Sequence, residues 1–155
     1  MAGHGTMIIL EDTRNQIGKH ELLNRQLEQM GCRVMRSKLF VGDYTQAANQ
    51  SICIDTKKDI LELAGNICGR QHERFRAECE RAKISQIRLI ILIEEETPIQ
   101  EWKSPRNRRN QALTQVKGET LYKAMNTMHE RYGVEFIQCN RKNTAKTIME
   151  ILSNE

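Results

Sequence analysis

The stretch Ile87-Arg-Leu-Ile-Ile-Leu-Ile93, followed at once by Glu94, Glu95 and Glu96, limits what this chain can fold into more than any other segment. Five successive aliphatic side chains leave no polar face, so the run suits a strand covered on both sides in the middle of a sheet, and the carboxylates mark where it meets water. Thr6 to Leu10, ending in Glu11 and Asp12, repeats the pattern. Open α/β sheets place their chemistry at such strand ends.

The intervening segments read as helices and further strands. From Lys19 to Met30, the residues Leu22, Leu23, Leu27 and Met30 recur at helical spacing, and Gly31 supplies a stop. Cys32 to Val41 reads as a strand, Gly42-Asp43-Tyr44 as a turn, and Ser51 to Ile54 as a strand leading into Asp55, with a hairpin-like pairing across the polar stretch Thr45 to Gln50. Asp59 caps a helix through Leu63, and Gly69 to Lys83 forms a charged, largely exposed helix with Phe75, Cys79 and Ala82 as its thin apolar face. Thr97 to Val116 is loop-like. Lys117 to Arg131 is a helix, Val134 to Cys139 a strand, and Thr144 to Leu152 a closing helix.

This order predicts an α/β fold in one domain spanning residues 1–155, a length that buries a substantial core. No apolar run approaches the ~20 residues of a membrane helix, and Met1 to Ile8 is too short and too weakly charged for a signal peptide, so the expected location is cytoplasmic, or nuclear or nucleoid with DNA. The 24 basic and 20 acidic residues leave a net charge of +4, which favours polyanions only mildly. Five scattered cysteines without a Cys-x-x-Cys pair suit reduced thiols. Cys68, His72 and Cys79 are the one trio with metal-ligand character, short of the four ligands of structural zinc.

Chemistry concentrates at Asp43, Asp55 and Lys57. Residues two apart in a strand share a face, so Asp55 and Lys57 project together, and Asp43 can converge on them from the preceding turn. Two close carboxylates repel, and a hard divalent cation relieves that repulsion. Such an ion polarises a phosphate while the ammonium offsets developing charge. The plain alternative is a turn aspartate and a solvated strand end.

Five ordered blocks decide between them: Asp12-Thr-Arg14, Val41-Gly-Asp43-Tyr44, Ile54-Asp55-Thr-Lys57, Gly69-Arg70 and Leu89 to Glu94. This succession resembles the nuclease domain of the XPF family, within the restriction-endonuclease-like PD-(D/E)XK superfamily. The resemblance runs from about residue 7 to the end. It implies a central mixed β-sheet flanked by helices and a magnesium- or manganese-dependent endonuclease that hydrolyses DNA, including branched or junction DNA. Asp43 and Asp55 would be metal ligands, Asp12 a further acidic group at the metal, and Lys57 the catalytic lysine. Arg14, Tyr44 and Arg70 fall at matching positions, and the arginines suit bidentate contact with phosphate or carboxylate.

The sequence also departs from the family. Asn15 stands where the family usually has Glu, leaving Glu11 or Glu21 as substitutes; Asp55 replaces the commoner Glu; and Arg74 stands where Gln is frequent. The chain has no room for the helicase or helix-hairpin-helix modules common among XPF-type nucleases. Grip on DNA would come from the domain itself, from a homodimer or from a partner protein. Arg106, Arg108 and Arg109 offer phosphate contacts, with Trp102 either stacking on a base or covering core, and His72 a minor candidate near the site. The rival function is a non-catalytic XPF-like DNA-binding or scaffold subunit.

Overall fold

The computed structural model describes residues 6–153; the signal-peptide reading of Met1 to Ile8 falls largely outside them. Six strands form one mixed sheet: β1 (Ile8–Asp12), β2 (Arg33–Ser37), β3 (Tyr44–Gln46), β4 (Asn49–Lys57), β5 (Arg88–Ile93) and β6 (Glu135–Gln138), in the order β2-β1-β3-β4-β5-β6. β5 lies parallel to β4 on one side and β6 on the other, which is why a run with no polar face is stable there.

Alternation along β5 divides the core. Leu89, Ile91 and Ile93 enter a cluster with α2 (Ile60–Cys68), α3 (His72–Ile84) and α4 (Gly118–Tyr132), while Ile90 and Leu92 face α1 (Glu21–Gln29) and α5 (Thr144–Ser153). All five are at most 2% exposed, and burying each such side chain contributes roughly 1.5–3 kcal/mol of transfer free energy. α3 docks through Phe75, Cys79 and Ala82, as the spacing predicts, and Asp59 caps α2 by accepting from the Glu62 N–H.

The second strand and its hairpin differ from expectation. β2 ends at Ser37 and pairs in parallel with β1 at the sheet edge, and the hairpin partner of β4 is Tyr44–Gln46, part of the segment expected to be turn and polar loop. Polar residues hide this strand because their groups are satisfied by backbone: Thr45 is 1% exposed and its hydroxyl donates to the Ile52 carbonyl at 2.7 Å. The turn before it requires glycine. Gly42 has φ of +78°, and a Cβ there would sit 2.9 Å from the Ile54 carbonyl oxygen. Trp102 is buried among the residues under α4, so its indole covers core and is not free to stack on a base.

Candidate nuclease site

The site is assembled where β4 ends. Alternation puts Asp55 and Lys57 on the face of α2 and α3, with Lys57 Nζ 3.3 Å from Asp55 Oδ2. Nζ also donates to Asn66 Oδ1 at 2.9 Å and lies 5.7 Å from the centre of the Phe75 ring. The amide of Asn66 is itself fixed, since its Nδ2 donates to the Glu62 carbonyl at 2.7 Å.

Asp43 reaches the same point from the glycine turn, whose Asp43 N–H is held by the Ile54 carbonyl at 2.7 Å. Its Oδ2 accepts from the N–H and hydroxyl of Thr56 at 2.9 and 2.8 Å, and its Oδ1 accepts from Asn15 Nδ2 at 3.0 Å. Both aspartates are only 8% exposed, and each carboxyl group acts on the other. Burial, then the charges of Asp43 and Glu78, push Asp55 well above the usual carboxylate range. Burial works in the same direction on Asp43, but the donors on Thr56 and Asn15 outweigh it and keep that group low. Burial opposes the charge on Lys57, yet the surrounding carboxylates, Asp55 first, raise its pKa and hold it as ammonium.

These groups open into a cavity of about 470 Å³. Asn15 and Lys19 line it from the β1–α1 segment, and Asn66, Arg74, Glu78 and Arg81 from α2 and α3. Glu78 Oε2 accepts from the Gly42 N–H at 2.9 Å, so α3 clamps the turn that carries Asp43. The donor set fits a magnesium-type ion: Asp43 and Asp55 offer hard carboxylate oxygens to one cavity, and Mg²⁺ is commonly bound through one or two carboxylates plus water and phosphate. Among the described residues no three His, Cys, Asp or Glu side chains are placed to enclose an ion.

A family model described as the ERCC4 domain matches residues 11–151. The chain belongs to the ERCC4 domain family. Two solved structures of XPF from Aeropyrum pernix, one of them in complex with DNA, share its fold at TM-scores of 0.64 and 0.67 with 20% identity. They cover 94% and 95% of this chain, which spans only 63% and 64% of theirs. A search of curated proteins finds no match. Its fold is of the XPF type, a single restriction-endonuclease-like α/β domain. Among the described residues no helix is long and apolar enough to cross a membrane.

The expected site residues of this ERCC4 domain differ in how the fold places them. Asp12 lines the cavity, and its oxygens also accept from the Leu39 N–H at 2.9 Å and Arg14 Nε at 2.7 Å, which braces the neighbouring loop. Arg14 completes that brace through Nη2 to the Leu39 carbonyl while also lining the cavity. Tyr44 is fully buried on the opposite face, its hydroxyl donating to Asn24 Oδ1 at 2.6 Å, and has no route to a substrate. Arg70 is exposed outside the cavity lining, where the next turn supplies Gln71 and Arg74. Arg106, Arg108 and Arg109 are exposed on a loop that does not line it. His72 turns its Nδ1 to the Ile67 carbonyl, and Cys79 is buried while Cys68 is exposed, which breaks up the trio with metal-ligand character.

Neither proposed substitute for the missing glutamate reaches the cavity. Glu11 is buried against Arg36 and Asn24, and Glu21 pairs with Arg25 along α1. Asn66, Glu78, Arg81 and Thr56 are the residues that sequence reasoning did not single out. Asn66 had a signal, a carboxamide one turn after Glu62 in a helix whose other side chains are apolar. Arg74, Glu78 and Arg81 had one too, at helical spacing along one face of α3.

Proposed function

We propose that this ERCC4 domain hydrolyses DNA phosphodiester bonds as a magnesium- or manganese-dependent endonuclease. The observation that carries the reading is the buried pair Asp43 and Asp55, lining one open cavity with Lys57 ion-paired to Asp55. A structural carboxylate pair gains nothing from such contact, since like charges in a poorly solvated place are destabilising. Asp43 and Asp55 would hold the divalent ion. When bound, such an ion polarises a phosphoryl oxygen and lowers the pKa of a bound water.

The chain's own side chains supply the rest. Lys57, held by Asn66 and Asp55, presents a fixed positive charge to the developing charge on phosphate, where a preorganised donor acts with little reorganisation. Thr56 and Asn15 fix the rotamer of Asp43 and keep it ionised. DNA is the substrate class that family membership favours, and branched DNA, a homodimer and a partner protein belong to the same proposal. A second reading, a DNA-binding subunit without catalysis, draws on Asn15, which places an amide where a third carboxylate would strengthen the hold on an ion.

Cleavage of duplex, flap, fork and single-stranded DNA, with and without magnesium, decides between them. Metal-dependent cutting of at least one substrate is expected; binding without cutting by correctly folded protein would establish the second reading. Light scattering on the same samples reads the oligomeric state, and a strict monomer that cuts unaided would remove the dimer and partner proposals. Joint neutralisation of Arg106, Arg108 and Arg109 should flatten the salt dependence of DNA binding, and an unchanged slope would return the loop to a purely structural role.

A further inference from the structure

Arg74 and Arg81 both line the cavity and, among the described residues, neither makes an ion pair or a side-chain hydrogen bond. Of the other cations lining the cavity, Lys19 is likewise without a side-chain partner among the described residues, but Arg14 and Lys57 are not. Arg14 is committed to Asp12, and Lys57 to Asp55 and Asn66. The two α3 arginines are seven positions apart on one helix, which at the α-helical rise separates their backbones by about 10 Å.

The residues between them fix where that interval lies. Phe75 packs under the Lys57 ammonium, and Glu78 holds the Gly42 N–H directly before Asp43. The midpoint between the arginines therefore abuts the carboxylate pair. Successive phosphates lie further apart along the strand itself than the roughly 3.4 Å of axial rise per nucleotide, so an interval of about 10 Å suits two phosphates that flank a third. A guanidinium at each end of that interval meets phosphates on either side of the one lying over Asp43 and Asp55.

Resting on the nuclease reading, we infer that Arg74 and Arg81 are phosphate-binding residues that bracket the scissile phosphodiester, so that a continuous nucleic-acid strand runs along α3 across the end of β4. The balance of charge supports this division of work. The carboxylates at the cavity floor repel a phosphate unless a cation is bound, whereas unpaired arginines at the rim attract one through the phosphate charge and by bidentate bonds. Each flanking contact holds the strand in register and carries no information about base sequence.

The test is equilibrium binding of labelled DNA in magnesium, in a Lys57→Ala background so that the strand stays intact. Arg74→Gln and Arg81→Gln should each weaken binding several-fold and lower the slope of log affinity against log salt by about one. Both positions are at the protein surface without partners, so melting temperatures should not change, and circular dichroism checks the fold of each variant. A second arm replaces one phosphate at a time with a neutral methylphosphonate. Protein with both arginines should show sensitive positions on each side of the cleaved linkage; Arg74→Gln should erase sensitivity on one side and Arg81→Gln on the other. Unchanged affinity and slope in both variants, or loss of the same sensitive position in both, would overturn the bracket. If the Lys57→Ala protein and the wild type both fail to bind DNA, the nuclease reading falls and takes the bracket with it.

Discussion

Two buried polar clusters lie on opposite faces of the sheet, and they are built by different rules. On the α1 side, Glu11 accepts from Arg36 and Asn24 at 3.1 and 3.0 Å, Tyr44 donates to Asn24 at 2.6 Å, and Arg36 also donates to the carbonyls of Thr13 and Asn15 at 3.1 and 2.7 Å. Opposite charges and complementary hydrogen-bond groups meet there, and the His20 Nε2 packed near Tyr44 is the one buried side-chain atom left without a partner among the described residues. On the α2 and α3 side, two carboxyl groups are pressed together and a cavity opens over them. A satisfied network adds to stability, whereas a group of like charges is kept for something that binds it.

The sharpest way to break this comparison is to remove one carboxylate from the second cluster. Asp43→Asn or Asp55→Asn should reduce DNA cleavage by at least about 10²-fold, because the remaining charge no longer holds the ion, while the metal-free protein melts no lower than wild type. A gel-based cleavage assay beside a thermal melt reads both, and an active variant would remove the pair from the mechanism.

Lys57→Ala comes next. The expected loss is about 10²-fold in cleavage rate with little change in DNA affinity, since the ammonium acts on charge that develops in the transition state. A matching loss of affinity would make Lys57 a binding residue instead.

The satisfied cluster should answer in stability and not in chemistry. Arg36→Met leaves Glu11 buried with Asn24 as donor but without an opposite charge, at a cost of about 2 kcal/mol once the partial exposure of Arg36 is allowed for. Urea unfolding measures this, and equal stability would mean that Glu11 is solvated in the folded state.

The smallest effect is a pH dependence that separates the clusters without mutation. Asp55 has a folded pKa above its unfolded value, so its contribution to stability is full at pH values below the ordinary aspartate pKa and is lost as pH rises through the folded value. Asp43 is shifted the other way, and its contribution is lost as pH falls through its lowered pKa. Without metal, the melting temperature should therefore decline above the ordinary aspartate range, and Asp55→Asn should flatten that decline. An identical decline in the variant would assign it to other groups.

Much of the fold was legible because its signals are local. β5, the glycine stop after α1, the Asp59 cap and the apolar face of α3 each depend on residues near in sequence. The bracket of Asp43, Asp55 and Lys57 was legible for the same reason, being set by strand period and one turn. β3 was not, because Tyr44 and Thr45 are buried with polar groups satisfied by partners 20 and 7 residues away.

The sequence by itself determined which residue types stand at the ends of β1, β4 and β5, and hence that acids and a lysine would stand at strand ends of the sheet. Only the tertiary structure decided what each acid does. Asp12 and Asp43 look alike in the chain, yet Asp12 accepts from Arg14 and the Leu39 N–H, whereas Asp43 accepts from Thr56 and Asn15 beside Asp55. The part played by α3 was likewise decided in space. Whether Glu78 and Arg81 face solvent or a cavity depends on where the helix docks, and that is set by Phe75, Cys79 and Ala82 packing on the sheet, an interaction between residues that strand and helix periods cannot relate.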